Sequence, residues 1–314
     1  MNELKLINMQ DVKCENVEWL LYPYIPYGKI TIIQGDPGEG KTTLILQIIA
    51  RLTMGEGVID EEAKPPVNII YQTAEDGLGD TIKPRLMSAG ADCSKVLVID
   101  DSKVPLTMLD TRLENAIKQT NARLVVLDPI QGFLGANVDM HRANEIRPVM
   151  KHIAVLAETY HCAIVLIGHM NKCSVGKSAY RGLGSIDFQA AARSVLLVGR
   201  VKDEPEIRVV CQIKNSLAPE AKSIAFRLGE ENGFEWIGEY NITADDLLTG
   251  NTKGSRQKAA MEFLKNLLEN GRMAQTEIAI LADEQGIKRK TLQNAKEALS
   301  VKSIKIQNQW YWEL

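Results

Sequence analysis

Residues 30–43 read Ile30-Thr31-Ile32-Ile33-Gln34-Gly35-Asp36-Pro37-Gly38-Glu39-Gly40-Lys41-Thr42-Thr43, an apolar strand running into a glycine loop that ends in Lys-Thr. The stretch that follows, Thr42–Leu52, spaces its apolar residues as an amphipathic helix does. Strand, GxxxxGK[ST] loop and helix in direct succession make a phosphate cradle. The glycines let backbone N–H groups turn inward, Lys41 reaches the β and γ phosphates, and the Thr42 hydroxyl ligates Mg²⁺ at a helix N-terminus. All of Gly35, Asp36, Pro37, Gly38, Glu39, Gly40, Lys41, Thr42 and Thr43 belong to that expected site. A second Gly-Lys-Ser run, Gly176-Lys177-Ser178, has Asn171 in place of the leading glycine and no strand before it, and is not read as another cradle.

Working outward, apolar runs alternate with helix-period segments, the sequence form of an α/β fold with a mainly parallel sheet. The expected strands are 30–34, 67–72, 96–100, 124–128 and 163–167, with helices over 42–52, 106–119 and 142–160. Pro148 should kink the last helix or mark its real start. After Val195 the spacing changes to hairpins, 195–201, 207–213, 223–228 and 234–240, which read as antiparallel strands at the sheet edge.

The carboxyl ends of such strands are where ligands sit. Asp128 ends the run Leu124-Val125-Val126-Leu127 and can hold Mg²⁺, but Pro129 follows it, so no acid beside Asp128 can serve as base. Glu75, after Val67–Gln72, can orient and deprotonate an attacking water, with Asp76 as the alternative. His169, after 163–167, can sense a γ phosphate and pass its presence to the basic, glycine-rich loop 170–185, where Lys172, Lys177 and Arg181 can touch a nucleic-acid backbone.

The chain has 314 residues with 45% apolar and 25% charged side chains, the balance of a folded protein of one or two domains. No stretch is long and apolar enough to span a membrane and no signal peptide opens the chain, which suggests a cytoplasmic protein. Five scattered cysteines without a CxxC pair suit reduced packing thiols. Charge is uneven, because residues 251–314 carry 11 Lys and Arg against 7 Asp and Glu while the net charge of the whole chain is −3. A basic tail on an acidic body points to a polyanionic partner.

Residues 1–248 form the expected ATPase body, 249–256 a polar linker and 257–314 a small second domain. In that domain three helices, beginning with Ala260, Phe263, Leu264, Leu267 and Leu268 at helical spacing, precede a short hairpin with Trp310 and Trp312. The order resembles winged-helix domains at the ends of mobile-element ATPases. That resemblance implies DNA contacts from the third helix, at Lys288, Arg289, Lys290, Gln293, Asn294 and Lys296, although winged helices also dock proteins.

GDPGEGKTT, YQTAED with Glu75, LVVLDP with Asp128, IGHMNK with His169, and Arg181-Gly182-Leu183-Gly184-Ser185 through Arg193 together resemble the RecA-like ATPases. Within them they resemble the plasmid and phage RepA-type ring ATPases related to hexameric replicative helicases. The resemblance covers roughly residues 15–245. It implies ATP with Mg²⁺ bound between subunits of a homo-oligomer, a hexamer as in that group, with single-stranded DNA through the ring and duplex at the winged helix. It also implies a cation reaching the γ phosphate from the next subunit. Arg193 and Lys214 are the candidates, since Ser216 stands where the group's Lys-x-Arg element ends in Arg. A recombination or repair ATPase that does not unwind, and an ATP-switched DNA-binding regulator, share these features.

Overall fold

The computed structural model describes residues 4, 6–59, 61–136, 138–170, 185–229, 233–250, 252–269, 271–307 and 309–314. Lys172, Lys177, Arg181 and the Gly176-Lys177-Ser178 run lie outside the described residues. A small antiparallel pair, β1 (Trp19–Leu21) and β2 (Ile25–Pro26), leads into the central sheet. That sheet contains β3 (Ile30–Gly35), β4 (Ile69–Thr73), β5 (Val96–Leu97), β6 (Leu124–Asp128), β7 (Ala163–His169), β8 (Ser194–Val201), β9 (Glu204–Asn215), β10 (Ile224–Gly229) and β11 (Gly233–Glu239). Their spatial order is β11-β10-β9-β8-β3-β7-β6-β4-β5. From β8 to β5 all pairings are parallel, and from β8 to β11 they are antiparallel. The expected α/β sheet with antiparallel edge strands is therefore present.

Both faces of the parallel part are covered, which is why its strands read as unbroken apolar runs. Period two divides β7: Ala163, Val165 and Ile167 face helices α1 (Lys41–Met54) and α2 (Lys83–Ser88), while Ile164 and Leu166 face α3 (Thr111–Thr120), α4 (Ala143–Thr159) and α5 (Ile186–Ala191). A third apolar cluster seats α6 (Ala244–Thr249) on β8 and β9 through Leu247, Leu197 and Val209.

Several boundaries differ from expectation for local reasons. The expected strand 96–100 is hydrogen-bonded as a strand only over Val96–Leu97. Beyond it the Gln72 side-chain amide exchanges both bonds with the Ile99 backbone, each 3.0 Å long, in place of a ladder rung. Helix α3 starts at Thr111 rather than 106, because Asp110 caps it by accepting the Arg112 N–H at 2.8 Å. Pro148 lies inside α4, which begins five residues earlier at Ala143, so it does not mark the start.

The tail builds its own core. Helices α7 (Thr252–Leu268), α8 (Gln275–Glu284) and α9 (Arg289–Ala298) enclose Leu264, Ile278, Leu292 and Trp312 beside strands β12 (Met273–Ala274), β13 (Lys302–Ile306) and β14 (Gln309–Glu313), ordered β12-β14-β13. Because α7 already begins at Thr252, most of the expected linker 249–256 is helical. Among the described residues no helix is long and apolar enough to cross a membrane. Among the described residues, Cys14, Cys93, Cys162 and Cys211 are free thiols.

Candidate nucleotide site

The strand order places the candidate residues side by side. Strand β7 lies between the loop strand β3 and the acid strand β6, so His169 at its end falls between Lys41 and Glu75. Gly40 has φ 87°, a left-handed conformation suited to glycine, and it precedes α1 with no side-chain cap and no acidic residue in the first turn. The opening N–H groups of α1 thus face the loop without an anionic partner of their own. Gly35 is packed just as tightly, since a Cβ there would lie 2.2 Å from Val198 O.

Lys41 is 5% exposed. Its ammonium donates to Gly35 O at 2.9 Å and Asp36 O at 2.8 Å, and lies 3.3 Å from His169 Nδ1. Burial lowers its pKa, opposed by the negative charges of Asp128, Asp36, Glu39 and Glu75. A protonated Lys41 requires Nδ1 to accept, which leaves the proton on Nε2. That nitrogen faces Glu75 Oε2 at 3.8 Å. Lys41, His169 and Glu75 are thereby brought into one line.

Asp128 is 7% exposed and accepts two hydrogen bonds on Oδ2, from Thr42 Oγ1 at 2.7 Å and from Tyr71 OH at 2.9 Å. Burial raises its pKa, and the two donors and Lys41 pull the other way. Tyr71 is pushed up strongly, first by its burial and then by Asp128. A buried carboxylate beside a Thr hydroxyl is a hard-oxygen donor pair of the kind Mg²⁺ takes. Thr42 and Asp128 therefore fit that ion, and the uncapped α1 N-terminus and open loop fit the phosphates of a nucleotide.

The Glu75 loop rests on the turn that follows Asp128. Ala74 N–H donates to Asp128 O at 3.0 Å, and a Cβ on Gly132 would come within 2.3 Å of Ala74 Cβ. Asp76, the alternative base, is paired with Arg85 at 3.4 Å.

The two expected trans cations differ in their surroundings. Lys214 donates to Gln189 O, Ala190 O and Ala192 O at 2.7, 3.2 and 2.8 Å, closing the C-terminus of α5 in its own subunit. Arg193 is exposed, and its backbone carbonyl accepts from Ser216 N–H at 3.0 Å. In the tail, Lys288, Arg289, Lys290, Gln293 and Asn294 are exposed at the start and outer face of α9. Lys296 is instead engaged, 2.6 Å from Ser303 Oγ and 4.7 Å from the Trp312 ring centre.

Two groups escaped the sequence reading. Tyr71 was legible only as a strand residue, although period two puts it on the Asp128 face once β4 and β6 are paired. Glu39 of the loop is held by Arg200 at 3.7 Å and Arg208 at 3.8 Å from β8 and β9, and no local pattern marks those arginines.

Among protein families, the chain matches an AAA domain over residues 3–175, more than half its length and inclusive of the loop, Glu75, Asp128 and His169. It is 24% identical to Protein RecA of Sinorhizobium medicae over 226 residues, 68% of this chain and 60% of that protein. It is 22% identical to DNA repair protein RadA of Bacillus subtilis over 243 residues, 77% of this chain and 48% of that one. RadA of Halalkalibacterium halodurans is 26% identical over 244 residues, with 77% and 48% covered. The chain thus spans about half to three-fifths of the length of these relatives.

Proposed function

The chain belongs to the AAA domain family and carries a RecA-like P-loop ATPase core, and from that premise we propose a DNA-dependent ATPase that moves along single-stranded DNA as a ring of identical subunits. The observation that carries the ATPase reading is the convergence of Lys41, Thr42, Asp128, His169 and Glu75 at the carboxyl edge of the parallel strands.

In this reading the loop N–H groups and Lys41 bind the ATP phosphates, and Glu75 orients the attacking water and takes its proton. Thr42 and Asp128 would hold Mg²⁺, which would supply positive charge against the phosphates. His169, 3.3 Å from the Lys41 ammonium on one side and facing Glu75 at 3.8 Å on the other, registers whether the γ phosphate is present and passes that to the chain that follows β7.

Arg193 is the trans cation we favour. It is exposed and hydrogen-bonded through its backbone to Ser216, where the ring-ATPase pattern would place Arg, whereas Lys214 is spent on α5. The tail is read as a winged helix with α9 presented to DNA. A forked-duplex unwinding assay with ATP tests the motor. Strand separation that disappears in Glu75→Gln supports it, and DNA-stimulated hydrolysis without separation refutes unwinding. That second outcome matches the other reading, a recombination or repair ATPase, whose repair half is favoured by the name of the RadA relative, a DNA repair protein.

A further inference from the structure

The C-terminal hairpin treats its two tryptophans differently. Register sets Ser303 opposite Trp312 and Lys305 opposite Trp310, and the period of two puts these four residues on one face. Trp312 is 3% exposed and fills the tail core, whereas Trp310 on the same face is 47% exposed. Packing accounts for the first indole and not for the second, whose large apolar ring remains in water.

The neighbours of Trp310 are cationic. Lys305 Nζ lies 5.9 Å from its ring centre, and Lys296 bridges α9 to this face through Ser303 and Trp312. Lys302 and Glu313, opposite each other, both belong to the other face. A flat π surface beside ammonium groups matches a ligand that has a π face and a phosphate next to it.

We propose that Trp310 and Lys305 form a stacking platform for an unpaired nucleobase, with Lys305 meeting the adjoining phosphate. This rests on the DNA reading of the tail and makes it specific. In duplex DNA the faces of the bases are occupied by their neighbours, so the platform selects a single-stranded end or a junction, while the exposed cations at the start of α9 remain available to the duplex beside it.

The test uses the full chain and three DNA probes of one sequence: a blunt duplex, the same duplex with a single-stranded overhang, and the single strand. 2-Aminopurine stands at the first unpaired position of the overhang. Stacking on Trp310 is expected to quench it. Trp310→Ala should abolish the quench and weaken overhang binding about 5- to 100-fold, leaving the blunt duplex unchanged, while Trp310→Phe retains most of both. Lys305→Ala should lower the salt dependence of overhang binding by about one phosphate contact.

Hydrolysis without DNA and thermal melting should stay at wild-type values in all three variants. Should Trp310→Ala melt early, Trp310→Phe and Lys305→Ala carry the test. An unchanged quench in Trp310→Ala overturns the platform, as does an equal loss on the blunt duplex. If no probe binds the wild-type chain, the DNA reading itself falls, and Trp310 is then better taken as a protein contact.

Discussion

Replacing Gly132 by alanine tests whether the turn behind Asp128 sets the position of Glu75. The new Cβ would lie 2.3 Å from Ala74 Cβ, against about 3.5–4.0 Å for carbons in contact. The Ala74 backbone must therefore retreat by more than about 1 Å, while its N–H is held to Asp128 O at 3.0 Å. Gly132 is not in the left-handed region, so alanine adds bulk there without backbone strain. Overpacking of this kind costs about 1–3 kcal/mol, and a displacement of about 1 Å at a catalytic group costs on the order of 100-fold in rate. Steady-state hydrolysis should show kcat lowered about 10- to 100-fold, with KM for ATP near wild type because the loop 35–43 is untouched. Ala74→Gly removes the opposing methyl, so the double variant Gly132→Ala/Ala74→Gly should regain most of the lost kcat. Wild-type kcat in Gly132→Ala, or a double variant no better than the single one, refutes the coupling.

Tyr71→Phe keeps the packing and removes one of the two donors to Asp128. Denaturant unfolding of the chelator-treated chain at neutral pH should show a loss of about 1.5–3 kcal/mol, the worth of a hydrogen bond to a charged group. Asp110→Ala removes the α3 cap, worth about 0.5–2 kcal/mol. The Arg112 side chain holds the Asp110 carboxyl below its ordinary range, so this stability is present above that range and lost as pH falls through the depressed value. The stability deficit of Asp110→Ala should accordingly be full at neutral pH and shrink in strong acid, as followed by melting across pH. Lys214→Met should lower the melting temperature by freeing the α5 carbonyls, whereas Arg193→Ala should melt as wild type yet lose hydrolysis. Mixing Arg193→Ala with Glu75→Gln subunits should restore activity that neither has alone, and no restoration would place Arg193 outside the neighbour's site.

The nucleotide loop was legible because its chemistry is local: glycines at Gly35 and Gly40, then Lys41 and Thr42, on a strand-to-helix turn. Asp128 and Glu75 were legible because each ends an apolar run. Their partners were not, since Tyr71 meets Asp128 only across the β4–β6 register and Arg208 meets Glu39 only after the antiparallel strands fold beside the loop. The same limit separates Trp310 from Trp312, and it hid the contacts of Lys296, an expected DNA contact, with Ser303 and Trp312. Side-chain competition with the ladder, as at Gln72 and Ile99, likewise shortened a strand whose apolar run was longer.

Steady-state ATP hydrolysis with and without single-stranded DNA, alongside Lys41→Ala and Glu75→Gln, tests the central claim most directly. The account predicts strong stimulation by DNA in the wild-type chain and loss of hydrolysis in both variants. Slow hydrolysis indifferent to DNA, or activity that survives Glu75→Gln, would contradict it.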